Sequence, residues 1–211
     1  MDRDKALEAV LQAATALYQA ALDKGDAALR AALSVVLEEI ARPGVAPRDQ
    51  TAGRKPACRH WNDALEVAGA GPTQTAALSR ALRALEPHLP WIQNPNYTAD
   101  VVGAQFVDNY AYFDIMGPRG LIGSERAAMG LLLMGPGLHY ADHAHEAEEV
   151  YVTLTPGSLW SRDRGAWETM PAGRVIHHSS WTPQATKTGE APLLAFYCWI
   201  GALQRHAELI D

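Results

Sequence analysis

Five of the eight histidines are clustered in the second half of the chain: His139, His143, His145, His177 and His178. His143 and His145 are two residues apart, so their side chains project to the same face of an extended segment. Glu149 and Tyr151 follow at the same spacing, beyond a predicted turn at residues 146–148. Imidazole nitrogens, a carboxylate and a phenolic oxygen are all ligands of divalent first-row metals. If the turn brings the two segments together, these side chains form a metal site with open coordination positions.

The segment that carries Glu149 is predicted to be a strand with two different faces. Glu149, Tyr151 and Thr153 alternate along it with apolar residues. Because successive side chains of a strand point to opposite faces, one face is apolar and the other presents a carboxylate and a phenol. The strand therefore holds two candidate metal ligands side by side.

Short β-favouring runs separated by Gly, Pro, Asp and Asn fill the chain from Tyr97 onward and predict strands. Many short strands at regular spacing are typical of an antiparallel sandwich or a small barrel of the jelly-roll kind. The candidate strands are Val101–Val107, Tyr110–Ile115, Ala127–Met134, Glu149–Thr155, Leu159–Arg162, Arg174–His178 and Leu193–Ile200.

The first ninety residues are predicted to be helical. One amphipathic helix runs from the acidic N-terminus to Gly25, and a second opens at Asp26 and is closed by Pro43 and Gly44. Residues 43–60 show no periodicity and predict a loop, and a third helix is predicted over Thr73 to Leu85.

The predicted fold class is mainly β, a single jelly-roll barrel preceded by about three helices. We expect a helical segment over residues 1–90 packed on the barrel, the barrel over residues 97–201, and a C-terminal tail over residues 202–211. The first two helices could pack on the barrel or across a dimer interface, so a monomer and a homodimer both stay open.

Composition and charge exclude several classes of protein. The 211 residues are 48% hydrophobic and 20% charged, which is ordinary globular composition at a length that suits one domain. The net charge of −6 arises in the second half, so nucleic acid is not an expected partner. No apolar run is long enough for a membrane span, and the N-terminus lacks a secretion signal, so we expect a cytoplasmic protein.

The spacing of the candidate ligands resembles a known fold family. Gly137, His143, His145 and Glu149 stand as Gly-x5-His-x-His-x3-Glu, which resembles the first cupin motif. A cupin is a β jelly roll with its metal inside, so the resemblance implies that architecture.

The second cupin motif falls on residues 173–184, and there the sequence departs from it. Ser179 and Trp181 replace the usual Pro and Gly, and Gln184 occupies the position of the third metal-binding His. A glutamine oxygen is a weak neutral ligand, so this change is expected to reduce transition-metal affinity.

A longer pattern is more specific than the cupin motifs. The chain is similar to the bacterial cupin-type dimethylsulfoniopropionate (DMSP) lyases in His139-Tyr140-x2-His143-x-His145-x3-Glu149-x-Tyr151 and in the segments Trp181 to Thr188 and Pro192 to Trp199. The resemblance covers most of residues 97–201. It implies a β-elimination that converts DMSP to dimethyl sulfide and acrylate, with a base that removes the proton next to the carboxylate.

The same resemblance implies a role for each matching residue. In that family the residues that match His145, Glu149 and Tyr151 bind the metal, together with the His whose position is Gln184 here. Tyr140 is implied as the base, with Tyr151 sharing the role and His143 assisting proton transfer. The single divalent metal would hold the substrate carboxylate. Zinc is the first expectation, and iron, manganese, cobalt or nickel would also suit these ligands.

The glutamine leaves several explanations open. His177 or His178 could supply the missing nitrogen, although only one of two adjacent strand residues can face the interior. The site could instead work with water in the third position, or the chain could be a site-disabled relative that only binds its ligand. Another small-molecule metal cupin, a dioxygenase or an isomerase, is the competing enzyme class.

The expected substrate is a small sulfonium carboxylate, and aromatic side chains are its natural container. A sulfonium carries a fixed positive charge and no acidic proton, so ring faces attract it. The preferred candidates are Trp181 and Trp199, followed by Tyr197 and His139.

Overall fold

Six helices precede ten strands in the part of the chain that the structure, a computed structural model, describes, namely residues 2–42 and 46–210. The helices are α1 (Arg3–Leu22), α2 (Ala27–Ile40), α3 (Trp61–Gly69), α4 (Thr73–Leu85), α5 (Ala99–Val102) and α6 (Ala104–Asn109), with 3-10 turns at Pro56–His60 and Glu86–His88. The strands are β1 (Tyr110–Met116), β2 (Ala127–Met134), β3 (His139–Ala144), β4 (Glu148–Thr153), β5 (Ser158–Arg162), β6 (Glu168–Met170), β7 (Val175–His178), β8 (Gln184–Lys187), β9 (Leu193–Ile200) and β10 (Glu208–Leu209).

The strands form two antiparallel sheets of five. One sheet has the order β1-β2-β9-β4-β7 and the other β10-β3-β8-β5-β6. Consecutive strands repeatedly change sheet, as the Greek-key connections of a jelly roll require. The predicted cupin-like barrel preceded by helices is confirmed.

The helices begin and end largely as their sequence signals predict. Asp26 caps α2, because its side chain accepts a hydrogen bond from the Leu29 backbone N–H over 2.9 Å. The predicted third helix is α4, with the same bounds. α2 already ends at Ile40, and Pro43 and Gly44, which were predicted to close it, lie outside the described residues.

Two predictions along the chain were wrong. Val101–Val107 is not a strand but forms α5 and α6, which are separated by Gly103 at a φ of +83°. Val101 has no sheet neighbour and is 56% exposed, whereas Phe106 stacks on Tyr110. Helix α3 was missed, although its buried residues Trp61, Ala64, Leu65 and Ala68 have helical spacing.

The sheet that contains β9 has two contrasting faces. Its outer face packs against the helices through apolar residues such as Phe113, Leu131, Val152 and Phe196. Its inner face, together with β3 and β5, encloses an aromatic interior in which Tyr151 and Tyr197 lie. None of the described helices is long and apolar enough to cross a membrane.

Candidate active site

The inner face of the barrel opens into one cavity of about 540 Å³. Seven of the residues singled out in the sequence line it: Tyr140, His143, His145, Glu149, Tyr151, Tyr197 and Trp199. They come from both sheets, since β3 supplies Tyr140 and His143 whereas β4 supplies Glu149 and Tyr151. The predicted turn before β4 therefore brings the histidine pair and the carboxylate to one place.

Three polar groups form a small triangle at one end of the cavity. His145 Nε2 lies 2.8 Å from Glu149 Oε2, Gln184 Nε2 lies 2.9 Å from the same oxygen, and Gln184 Nε2 lies 3.0 Å from His145 Nε2. Atoms that bind one octahedral metal ion at about 2.1 Å and at right angles are about 3.0 Å apart. The triangle therefore has the size of one face of a metal coordination shell.

The tautomer of His145 favours a cation at this triangle. His145 Nδ1 lies 2.8 Å from the Ala147 carbonyl oxygen, which can only accept, so Nδ1 carries the hydrogen. In a neutral imidazole Nε2 then carries a lone pair, and this lone pair faces the Glu149 carboxylate. The contact is stabilised only by a proton or a metal ion between the two atoms.

The donor chemistry fits a metal only when Gln184 contributes its carbonyl. In the described part of the chain no three His, Cys, Asp or Glu side chains are grouped closely enough to hold a metal ion. His145 and Glu149 are the two such side chains of the triangle, and Gln184 is its third corner. The Gln184 Oε1 atom is buried without a hydrogen-bond partner, and a half-turn of the amide would direct it to the same point.

The electrostatics of the triangle follow from burial and pairing. Burial lowers the pKa of His145, but the adjacent Glu149 carboxylate outweighs it and raises that pKa above its usual value. Burial likewise opposes ionisation of Glu149, yet the charge of His145 holds the Glu149 pKa well below its usual value. Burial and then the charge of Glu149 raise the pKa of Tyr151 well above 10.

Trp199 positions both charged members of the triangle. Its indole Nε1 donates a 2.6 Å hydrogen bond to Glu149 Oε1, and its ring stacks on His145 with centroids 4.2 Å apart. Trp199 and Glu149 are direct neighbours in the β9–β4 register. The residue predicted to contact substrate therefore also orients two candidate ligands.

Tyr140 and His143 form a second feature of the cavity wall. Their rings are stacked with centroids 3.7 Å apart and planes only 3° from parallel. His143 Nδ1 lies 2.9 Å from the Ala141 carbonyl oxygen and so carries the hydrogen, which leaves Nε2 as an acceptor. Burial lowers the His143 pKa to about 3, so this imidazole is neutral at pH 7. Burial and neighbouring phenols raise the Tyr140 pKa well above 10.

Besides Gln184, four of the sequence candidates do not line the cavity. His139 is exposed beside Trp167, and Trp181 is 45% exposed with Arg205 over its ring. His177 points outward and pairs with Glu148 at 2.6 Å. His178 is buried next to Glu149 in the β4–β7 register, and neither of its ring nitrogens has a partner among the described residues.

Sequence reasoning missed a second polar group in the cavity wall. Tyr197 donates a hydrogen bond to the buried Asp114, and Arg119 Nε lies 3.3 Å from the other Asp114 oxygen. Gly130 makes this possible, because a Cβ there would come within 2.8 Å of the Tyr197 hydroxyl and closer still to the Phe113 carbonyl. The signal in the sequence was Asp114, an acidic residue in the otherwise apolar strand β1. Arg119 neutralises its side chain.

Comparisons with known proteins point to one family. A family model for dimethylsulfoniopropionate lyase matches residues 28–195. The DddL protein of Cereibacter sphaeroides is 29% identical over 198 residues, which cover 90% of this chain and 80% of that protein. The DMSP lyase DddQ of Ruegeria pomeroyi is 31% identical over 108 residues, which cover 51% of this chain and 54% of that protein.

Solved structures agree in fold. The crystal structure of DddQ from Ruegeria pomeroyi has a TM-score of 0.72 at 26% identity, with 98% of this chain and 96% of that chain covered. A chain from the crystal structures of the DMSP lyases RdDddP and RnDddQII has a TM-score of 0.78 at 24% identity over the full length of both chains. Both structures therefore have a fold similar to that of this chain along nearly its whole length.

Proposed function

The chain belongs to the dimethylsulfoniopropionate lyase family and is a lyase acting on DMSP, and from this we propose that it cleaves DMSP by a metal-dependent β-elimination in the barrel cavity. DMSP carries a carboxylate and a sulfonium on neighbouring carbons. A base removes a proton from the carbon next to the carboxylate, the C–H electron pair becomes the second bond of acrylate, and the C–S pair leaves with dimethyl sulfide. One proton is released for each molecule cleaved.

Tyr140 is the proposed base. Its phenol lies in the cavity wall, and the face-to-face contact with His143 at 3.7 Å fixes the plane of the ring. The neutral His143 cannot repel a sulfonium and offers Nε2 as an acceptor that can assist proton transfer. Because a phenol removes a proton only when ionised, the site must lower the pKa of Tyr140 from its buried value.

His145, Glu149 and Gln184 Oε1 would hold the metal, with Tyr151 as a fourth ligand. When bound, the divalent ion would bind the substrate carboxylate and stabilise the charge that develops there, and its positive charge would lower the pKa of nearby phenols. Trp199 keeps Glu149 and His145 in place through its hydrogen bond and its stacking. The close approach of His145 Nε2 to Glu149 Oε2 and the buried Gln184 Oε1 without a hydrogen-bond partner support this assignment.

The aromatic walls are proposed to hold the sulfonium. Trp199, Tyr197 and Tyr151 present rings to the cavity, and ring faces attract a fixed cation. The cavity is lined by both aromatic and polar side chains, which suits a small molecule with a cationic and an anionic end. Trp181 and His139 stand outside this lining, so the inner-face rings are the better candidates.

The observation that carries the proposal is the convergence of Tyr140, His145 and Glu149 on one cavity in a chain of this family. We expect Tyr140→Phe to lower the rate of dimethyl sulfide release by about 10²- to 10⁴-fold, the usual contribution of a general base. Its metal content should stay unchanged. Retained activity would remove Tyr140 from the base role.

The matched variant separates metal binding from proton transfer. Glu149→Ala should lose both bound metal and activity, because it removes a charged ligand and the partner of His145. Metal content measured on the purified protein checks this, and a fully loaded Glu149→Ala protein would contradict the ligand assignment.

A further inference from the structure

Tyr140 is hydrogen-bonded to a second phenol that lies outside the cavity lining. The Tyr140 hydroxyl donates to the Tyr97 hydroxyl over 2.9 Å, and the two rings meet edge to face with centroids 5.6 Å apart. Each residue is 5% exposed, but only Tyr140 lines the cavity. The bond therefore leads from the cavity wall toward the segment between the helices and the barrel.

Tyr97 is held in place by its own short segment. Its backbone N–H donates to the Asn94 carbonyl over 3.0 Å, and the Asn94 side chain donates to the Ala207 carbonyl over 2.9 Å. The ring packs against Phe106 and Tyr110. The residues on either side, Asn96 and Thr98, are exposed, so this segment lies at the protein surface.

We propose that Tyr97 is a positioning and proton-relay residue for Tyr140, an inference that rests on the proposed function. When the pair ionises, its two oxygens share one negative charge across the 2.9 Å hydrogen bond. The proton from the substrate carbon binds the Tyr140 oxygen, and the pair ionises again when a proton passes from Tyr97 to water. The reaction thereby releases its proton without opening the cavity.

Other titratable groups surround the two phenols. Tyr140 is faced by Tyr97 from residues 94–98, Tyr110 from β1, Tyr151 from β4 and His143 from its own strand. Tyr97 is faced by the same Tyr110, and the charges of Glu149 and Tyr112 also act on it.

Burial and hydrogen bonding both act on the pKa values of the two phenols. Burial raises the Tyr97 pKa to about 12, and the hydrogen bonds with Tyr140 and Asn94 hold it from rising further. The pKa of Tyr140 lies well above 10, raised first by burial and then by the charges of its phenol neighbours. Ionisation at Tyr97 therefore leaves an oxygen to which the Tyr140 hydroxyl, already donating to it, can pass its proton.

Tyr97→Phe tests the relay, because it keeps the ring and removes only the hydroxyl. We expect kcat to fall about tenfold or more while KM stays unchanged, and the acidic limb of the kcat/KM profile to move up by about one pH unit. A loss of packing alone would change stability without moving that limb. Tyr18→Phe is the matched control, since it removes another buried hydroxyl, one that donates to the Tyr197 carbonyl over 3.2 Å. Tyr18→Phe should keep the wild-type pH profile.

The wild-type protein gives a second measurement in case Tyr97→Phe does not fold. In mixtures of H2O and D2O, a plot of kcat against the deuterium fraction should be curved. Such curvature is expected when more than one proton moves. A linear or flat dependence would overturn the relay.

The outcomes distinguish this inference from the proposed function. A wild-type pH profile in folded Tyr97→Phe, with Tyr140→Phe inactive, would overturn the relay alone. Full activity of Tyr140→Phe would remove both the base role of Tyr140 and the relay, whereas no dimethyl sulfide from the wild type would remove the proposed function.

Discussion

The two faces of the β1-β2-β9-β4-β7 sheet have different roles, although the same strands form both. In β9, Phe196 and Cys198 point to the helices and are fully buried among apolar residues, whereas Tyr197 and Trp199 point into the cavity and make hydrogen bonds. Because successive side chains of a strand point to opposite faces, neighbouring residues of β9 serve packing and chemistry in turn. The outer face supplies stability, and the inner face can carry buried polar groups because each is paired with another.

One corner of the inner face breaks that pairing. Both ring nitrogens of His178 and the Oε1 atom of Gln184 are buried without partners among the described residues. An unsatisfied buried polar group costs about 1–3 kcal/mol. This corner lies beside the His145–Glu149 pair, so the inner face gains most from a bound cation there.

The largest expected effect comes from the outer face. Phe196→Ala should lower the free energy of unfolding by about 3–5 kcal/mol, because it leaves a cavity among helix-facing residues. Activity per folded molecule should stay close to that of the wild type. Denaturant unfolding and the dimethyl sulfide assay together check this. A loss of activity in fully folded protein would mean that the two faces are not separate.

The matching change on the inner face is Trp199→Phe. It keeps a ring against His145 and removes the donor to Glu149, so metal affinity should fall about 10- to 100-fold with stability little changed. Metal titration measures the effect. The control is Trp91→Phe, which changes a buried indole in the helix-facing core and should leave metal affinity unaltered. Equal effects in both variants would contradict the positioning role of Trp199.

Gln184→His tests the corner of the inner face where buried polar atoms have no hydrogen-bond partner. An imidazole nitrogen is a better ligand for zinc than an amide oxygen, so zinc affinity should rise by about tenfold or more. Competition between zinc and a coloured chelator measures the change. An affinity that stays at the wild-type level would indicate that residue 184 does not contact the metal.

Acid should destabilise the inner face selectively. Burial lowers the pKa of His143 to about 3 and that of His178 to about 4, both below the value near 6.5 expected when the chain is unfolded. The unfolded chain therefore binds more protons below pH 6.5, and the stability present above that pH is lost as the pH falls toward 4. For metal-free protein we expect a loss of about 1.4 kcal/mol per pH unit for each histidine. Denaturant unfolding at pH 7, 6 and 5 tests the slope, and a flat profile would show that these histidines are protonated in the fold.

The smallest effect is expected at Trp181, on the exterior. Its side chain is 45% exposed and stands outside the cavity, so Trp181→Ala should change stability by less than about 0.5 kcal/mol. KM for DMSP should stay within about twofold, since surface changes away from a site seldom exceed that. A large rise in KM would return Trp181 to the substrate site.

The sequence predicts the strand alternation better than the partners across strands. The faces of β4 and the helix over Thr73–Leu85 follow from local periodicity. Gln184 was placed by its motif position, but its contact with Glu149 depends on how β8 meets β4 in space. The ion pair of Asp114 and Arg119 and the hydrogen bond of Tyr97 and Tyr140 join residues from separate elements. Local spacing in the sequence does not predict such contacts.

The helical errors have a similar origin. Val101–Val107 has strand-favouring residues, yet it forms α5 and α6 and delivers Phe106 to the aromatic cluster. Tertiary packing overrides the weak preference of such a short run.

The most direct test of the account is dimethyl sulfide release from DMSP by purified protein, assayed in the headspace. The protein is first treated with a chelator and then supplied separately with zinc, ferrous iron, manganese, cobalt or nickel. The account predicts that chelation abolishes release and that at least one metal restores it. Release that is indifferent to chelation would contradict metal dependence, and folded protein that releases none with any of these metals would contradict the proposed lyase activity.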